Sequence, residues 1–126
     1  MKKDLENGSD VKLLIDSFYE KVKQDSVIGF IFTDVAKINW EHHLPRMYSF
    51  WESLLFGTAE FTGNPMEVHI KLHHMFPLQH DHFVQWKKLF LENADALFEG
   101  VKTEELKSRA VSIADLMEFK LKSISS

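Results

Sequence analysis

Apolar residues recur three and four positions apart along nearly the whole chain, a spacing that suits helices and little else. Between residues 9 and 22 they fall at Val11, Leu14, Ile15, Phe18 and Val22, one stripe of an amphipathic helix that Ser9 or Asp10 is placed to cap. A second helix is expected over 39–56, with Leu44, Met47, Tyr48, Trp51, Leu54 and Leu55 on one side, Asn39 at its start and Gly57 as its stop. Pro45 falls early in that run, compatible with a first or second turn or with a kink that re-aims His42 and His43. The linker 57–63 leads to Asn64-Pro65, a cap followed by the favoured first helical residue, with Glu67 placed to reach back. The short helix that begins there ends before Pro77. Two long helices are expected over 79–99 and 104–124, separated by Gly100, the second capped by Thr103. Their apolar faces carry Phe83, Trp86, Phe90, Ala94 and Leu97, then Leu106, Ala110, Ile113, Met117 and Leu121. The apolar run 27–32 is helical or irregular, because no other segment offers it a partner strand. The fold class is all-α, with about six helices in one domain over 1–126, residues 1–8 being expected as a poorly ordered extension.

Composition then removes whole classes of function. Fifteen basic residues against nineteen acidic ones leave a net charge of −4, and the basic ones are scattered from Lys2 to Lys122, which argues against nucleic acid as a partner. The longest uncharged apolar run, Val27 to Phe32, is far too short to span a bilayer, and residues 1–10 lack the apolar stretch of a secretion signal. A soluble cytoplasmic protein without membrane partners is expected. The absence of cysteine excludes disulfides, thiolate zinc, iron–sulfur clusters and thioether-attached haem. Any metal must rest on His, carboxylate, Met or Tyr. The five glycines are isolated, so there is no phosphate loop. No HExxH occurs, and none of the seven histidines has an acid three residues before it, as a carboxylate-bridged di-iron bundle would need.

What remains is histidine and aromatic content. His69 and His73 are one turn apart, and His42-His43 and His73-His74 are adjacent pairs; such spacing suits a shared metal but also arises on solvated helix surfaces. His80 and His82 read as surface residues. Eleven Phe, three Trp and two Tyr either fill an ordinary core or wall an apolar cavity of cofactor size, and composition alone does not choose.

The order of short motifs adds what composition lacks. "FYEKV" at 18–22, "GFIF" at 29–32, "WEHHLPRMYSFW" at 40–51, "GNPMEVH" at 63–69 and "HFVQWKKLF" at 82–90 succeed one another at suitable intervals. In this order the chain resembles the truncated haemoglobins, and within them the third group. The resemblance implies a two-over-two helical sandwich around a b-type haem. His69 corresponds to the proximal iron ligand and Tyr19 to the distal donor to bound oxygen. His43 corresponds to the gate histidine, Met47 to the apolar residue above the haem, Trp86 to the distal indole and Phe32 to the phenylalanine against the porphyrin. Phe50, Trp51 and Phe90 complete the expected cofactor walls, while His73 and His74 are expected to be solvated or near the propionates. Two departures stand out: Phe61 where relatives often carry Tyr, and the flexible Met47 where a branched residue would be stiffer.

The implied function is reversible binding of O2, and of CO and NO, at a His-ligated haem, with an unidentified reductase as a further partner. Oxygen transport, NO dioxygenation and peroxidase-like chemistry share such a pocket. Two other classes stay open from the residues: an electron-transfer protein with His43 or Met47 as sixth iron ligand, and a haem-free helical interaction module.

Overall fold

The computed structural model describes residues 1–58, 61 and 63–125. Ala59, Glu60 and Thr62 of the expected linker lie outside the described residues. The chain forms α1 (Gly8–Gln24), a π-helical turn (Ile31–Val35), α2 (Trp40–Phe56), α3 (Pro65–Met75), α4 (His80–Leu97) and α5 (Val101–Ser125), with no strand among the described residues. The expected all-α class and six helical elements are found. α1 packs on α2, α4 packs on α5, and α1 also lies on α4, so two antiparallel pairs are stacked one over the other, while α3 rests on α5. No helix among the described residues is long and apolar enough to cross a membrane.

Local signals located most helix ends. Asn64 accepts the Glu67 N–H at 3.1 Å, and Pro65 occupies the first helical position of α3. Glu67 does not reach back to the cap; its carboxylate lies 3.8 Å from Lys71 on the next turn. Gly57 ends α2 in the left-handed region, φ 68°, where its N–H meets the Glu52 and Ser53 carbonyls. Pro45 lies in the second turn of an unbroken α2.

Two ends differ from expectation, and both involve the N-terminal arm. α1 is capped by Asn7, not Ser9 or Asp10; the Asn7 side chain accepts from the Asp10 N–H at 3.2 Å. α5 begins at Val101, because Asp4, some hundred residues earlier, does what Thr103 was expected to do. The Asp4 carboxylate accepts the Lys102 and Thr103 N–H groups at 2.9 and 2.8 Å and the Thr103 hydroxyl at 2.8 Å. Gly100, φ 146°, permits this approach, since a Cβ there would stand 2.4 Å from the Asp4 carboxyl carbon. Part of 1–8, expected as a loose extension, packs on the body: Leu5 is 2% exposed and the Lys3 carbonyl accepts the Glu99 N–H, while Met1 and Lys2 are exposed. α5 in turn grips α2, where Lys102 Nζ donates to the Leu55 carbonyl at 2.7 Å.

Burial raises the Asp4 pKa, but hydrogen bonds from Lys102, Thr103 and Leu5 outweigh it and hold the carboxyl below its ordinary 3.8. A group whose pKa falls on folding stabilises the protein above its unfolded value and loses that effect as pH drops through the folded one. Asp4→Ala is therefore expected to lower unfolding stability by about 1–2 kcal/mol at neutral pH, the usual range for a lost cap. Urea titrations should show the difference from wild type shrinking below pH 3.8. An undiminished gap in acid would mean the effect is packing, not capping.

Candidate functional site

The residues singled out in the sequence converge between α1, α2 and α4. Phe18 lies at the centre, 1% exposed, with its ring edge-on to Tyr19 at 5.0 Å, to Trp86 at 5.5 Å and to Phe90 at 5.0 Å. Trp86 stacks on Phe90 at 5.1 Å, and Trp51 covers the same Phe90 at 5.2 Å. Phe50 stands against Trp51, and Met47 and Phe50 pack half-buried on the core. Phe32 meets Tyr19 at 6.1 Å from the π-helical turn. These contacts stem from helical geometry: Trp86 and Phe90 are one turn apart on α4, as His43 and Met47 are on α2.

Two polar groups face each other in this apolar setting. Tyr19 Oη and His43 Nε2 are 3.2 Å apart, a hydrogen bond whose donor depends on the imidazole tautomer. Burial pushes the Tyr19 phenol up, so it keeps its proton. Burial above all, with the Arg46 charge nearby, pushes His43 down to about 4, so the imidazole is neutral at pH 7.

His69 comes from α3. Its Nδ1 donates to the Pro65 carbonyl at 2.7 Å, the residue that opens the same helix. A ring whose Nδ1 proton is held by a carbonyl carries its lone pair on Nε2, and burial pushes its pKa down, against the raising effect of that carbonyl. The ring is thus a neutral, oriented donor. Among the described residues no three His, Cys, Asp or Glu side chains converge to hold a bare ion.

The other histidines have different work. His73, expected to be solvated or near the propionates, is 8% exposed; its Nδ1 accepts the Leu78 N–H at 3.0 Å and so closes the turn between α3 and α4. His74 is exposed. His82 caps α4, accepting the Gln79 N–H at 2.9 Å, and the exposed His80 pairs through Nδ1 with the buried Glu118 at 2.7 Å.

Sequence reasoning passed over two residues. Trp40 touches both Tyr19, at 5.3 Å, and His43, at 5.8 Å; its position three before His43 on one helix was the available signal. Asn93, fully buried, donates to the Leu14 carbonyl at 3.0 Å and accepts from the Ser17 hydroxyl at 2.8 Å. It pins α4 to α1 two turns from Trp86, and an amide between Phe90 and Leu97 on an apolar face was the clue.

Residues 6–123 match the family model of the bacterial-like globins. The chain belongs to that family. A curated relative, the group 3 truncated hemoglobin of Campylobacter jejuni, is 29% identical to this globin over 117 residues, 90% of each chain. The crystal structure of the group III truncated hemoglobin from Campylobacter jejuni is 28% identical and superposes with a TM-score of 0.84 over 96% of this chain and 95% of that one. The likeness to the third group of truncated haemoglobins, read from five short motifs, is thus borne out. Membership implies a haem cofactor, and the residues present fit one. A flat apolar ligand needs aromatic walls and one neutral imidazole, and this globin has both.

Proposed function

We propose that this globin holds a b-type haem through His69 Nε2 and reversibly binds O2, with CO and NO as alternative ligands, on the side where Tyr19, His43, Met47 and Trp86 gather. The observation that carries the reading is the His69–Pro65 bond. It presents one neutral imidazole in a fixed orientation, near the half-buried Tyr19–His43 pair. When bound, haem supplies a ferrous iron that takes a diatomic molecule reversibly. Phe32, Phe50, Trp51 and Phe90 would wall the cofactor and keep water from it. Tyr19, protonated at every working pH, and the Trp86 indole offer hydrogen-bond donors to a ligand that draws electron density. His43 guards the approach, and Met47, one turn along α2, roofs the same space. Because His43 is engaged with Tyr19, it is not held ready as a second iron ligand.

The test is the absorption spectrum of the purified protein in ferric, ferrous and CO-treated forms. The expected ferrous spectrum is the broad band of a five-coordinate centre, replaced by a sharp one with CO. Sharp low-spin bands before CO is added would overturn the ligand-binding reading in favour of electron transfer. A colourless protein that stays folded and refuses haemin would remove the cofactor altogether.

A further inference from the structure

The first turns of α2, which carry His43, lack two of the bonds that commonly secure a helix start. Asn39 precedes the helix but its side chain makes no capping bond. Pro45 has no N–H, so the Glu41 carbonyl lacks its helical partner. The chain enters from the π-helical turn through Lys37 at φ 50°, a break in the helical run. The Asn39 carbonyl accepts the His42 and His43 N–H groups at 3.1 and 2.8 Å, so the turn itself is formed, and its hold on α1 is left to side chains.

Trp40 supplies such a hold. Its indole is gripped from α1 at two points on one face: the Tyr19 ring at 5.3 Å, and one turn on the Lys23 ammonium, 4.6 Å from the indole centroid. Glu20, 3.1 Å from Lys23 Nζ, restrains the ammonium there. The indole also meets the His43 ring edge-on at 5.8 Å. Trp40, Tyr19 and His43 thus form a closed circuit between α1 and the start of α2, completed by the Tyr19–His43 hydrogen bond, with Lys23 holding the indole from outside it.

We infer that Trp40, clamped by Lys23, is a positioning residue that keeps His43 against Tyr19 and so sets how often the approach to the pocket opens. The inference rests on the reading of His43 as guard of that approach. Losing the indole removes two aromatic contacts and a cation–π contact, enough to raise the open population roughly five- to tenfold. Lys23→Met removes only the cation and should raise it about two- to threefold.

Two measurements on the full-length haem-loaded protein separate the clamp from the gate. Diethyl pyrocarbonate acylates accessible neutral imidazoles, and mass spectrometry reads each histidine, with exposed His74 as internal reference. Relative to His74, His43 should label roughly five- to tenfold faster in Trp40→Ala and about two- to threefold faster in Lys23→Met, the population shifts above. Trp40→Phe should stay within about twofold of wild type, because a phenyl ring keeps an aromatic edge on both partners. CO association after flash photolysis should accelerate in the same order. Unchanged His43 labelling in Trp40→Ala, an increase that spreads to buried His73, or a Trp40→Phe protein as reactive as Trp40→Ala would each overturn the clamp. Faster labelling with unchanged CO association would uphold the clamp and overturn the role of His43 as guard.

Discussion

His69→Ala is expected to lose tight haem retention, whereas His73→Ala and His74→Ala keep it. Only His69 combines a lone pair on Nε2, fixed by the Nδ1–Pro65 bond, with a place near the Tyr19–His43 pair. His73 cannot substitute, since its Nδ1 is engaged by the Leu78 N–H inside the α3–α4 turn, and His74 is exposed. Without the imidazole the aromatic walls still attract a flat apolar ring, so weak binding remains, and added imidazole should restore the Soret band by filling the vacated space. The melting temperature should fall with the lost cofactor, because a ligand that binds only the folded state at about a thousand times its Kd contributes about 4 kcal/mol. His73→Ala should behave differently: a normal Soret band, but stability lower by about 1–3 kcal/mol, the cost of leaving the Leu78 N–H unpaired. Haemin titration and thermal melts of the three variants are the measurement. Equal Soret bands in all three, or loss in His73→Ala alone, would mean that another residue holds the iron.

Tyr19→Phe is expected to speed O2 release far more than CO release. O2 in the pocket gathers partial negative charge and accepts strong hydrogen bonds, while CO stays nearly neutral and accepts weak ones. Removing a donor to a charged acceptor costs about 1.5–3 kcal/mol. That corresponds to roughly ten- to hundredfold in the equilibrium. The change should appear in dissociation, because the bond exists only after the ligand has arrived. Trp86→Phe should act in the same direction. The double variant should show less than the sum, since Phe18 packs against both rings at 5.0 and 5.5 Å and couples their positions. Stopped-flow release of each gas from wild type and the three variants tests this. Equal acceleration of both gases would show that these residues act through shape, and unchanged O2 release in Tyr19→Phe would remove Tyr19 from the ligand's surroundings.

Helix positions were legible wherever the information lies within a few residues of the end it specifies. Asn64-Pro65 starts α3 and Gly57 stops α2 in the structure as they read in the sequence, because a cap bond and a left-handed stop span five residues or fewer. The same locality explains the aromatic faces of α1 and α4. Their three-and-four spacing predicts which side is buried, and Phe18, Phe90 and Ala94 are buried there. The order of five motifs placed the chain among the truncated haemoglobins, and the match over residues 6–123 agrees at the level of the globin family.

The sequence by itself therefore determined the all-α class, the helix faces and the set of histidines and aromatics from which a site could be made. Tertiary structure decided which of those residues meet and which are busy elsewhere. Asp4 caps α5 across 98 and 99 residues, His80 finds Glu118 across 38, and Tyr19 finds His43 across 24. No periodicity encodes such pairings, because side-chain spacing along a helix says which face a group occupies and nothing about what that face will touch. His69 and His73 look alike in sequence, one turn apart on α3. Their own bonds are local, to Pro65 four residues back and to Leu78 five residues on, but only packing brings His69 of α3 near His43 of α2, and that placement, made by the fold, divides a candidate ligand from a structural residue.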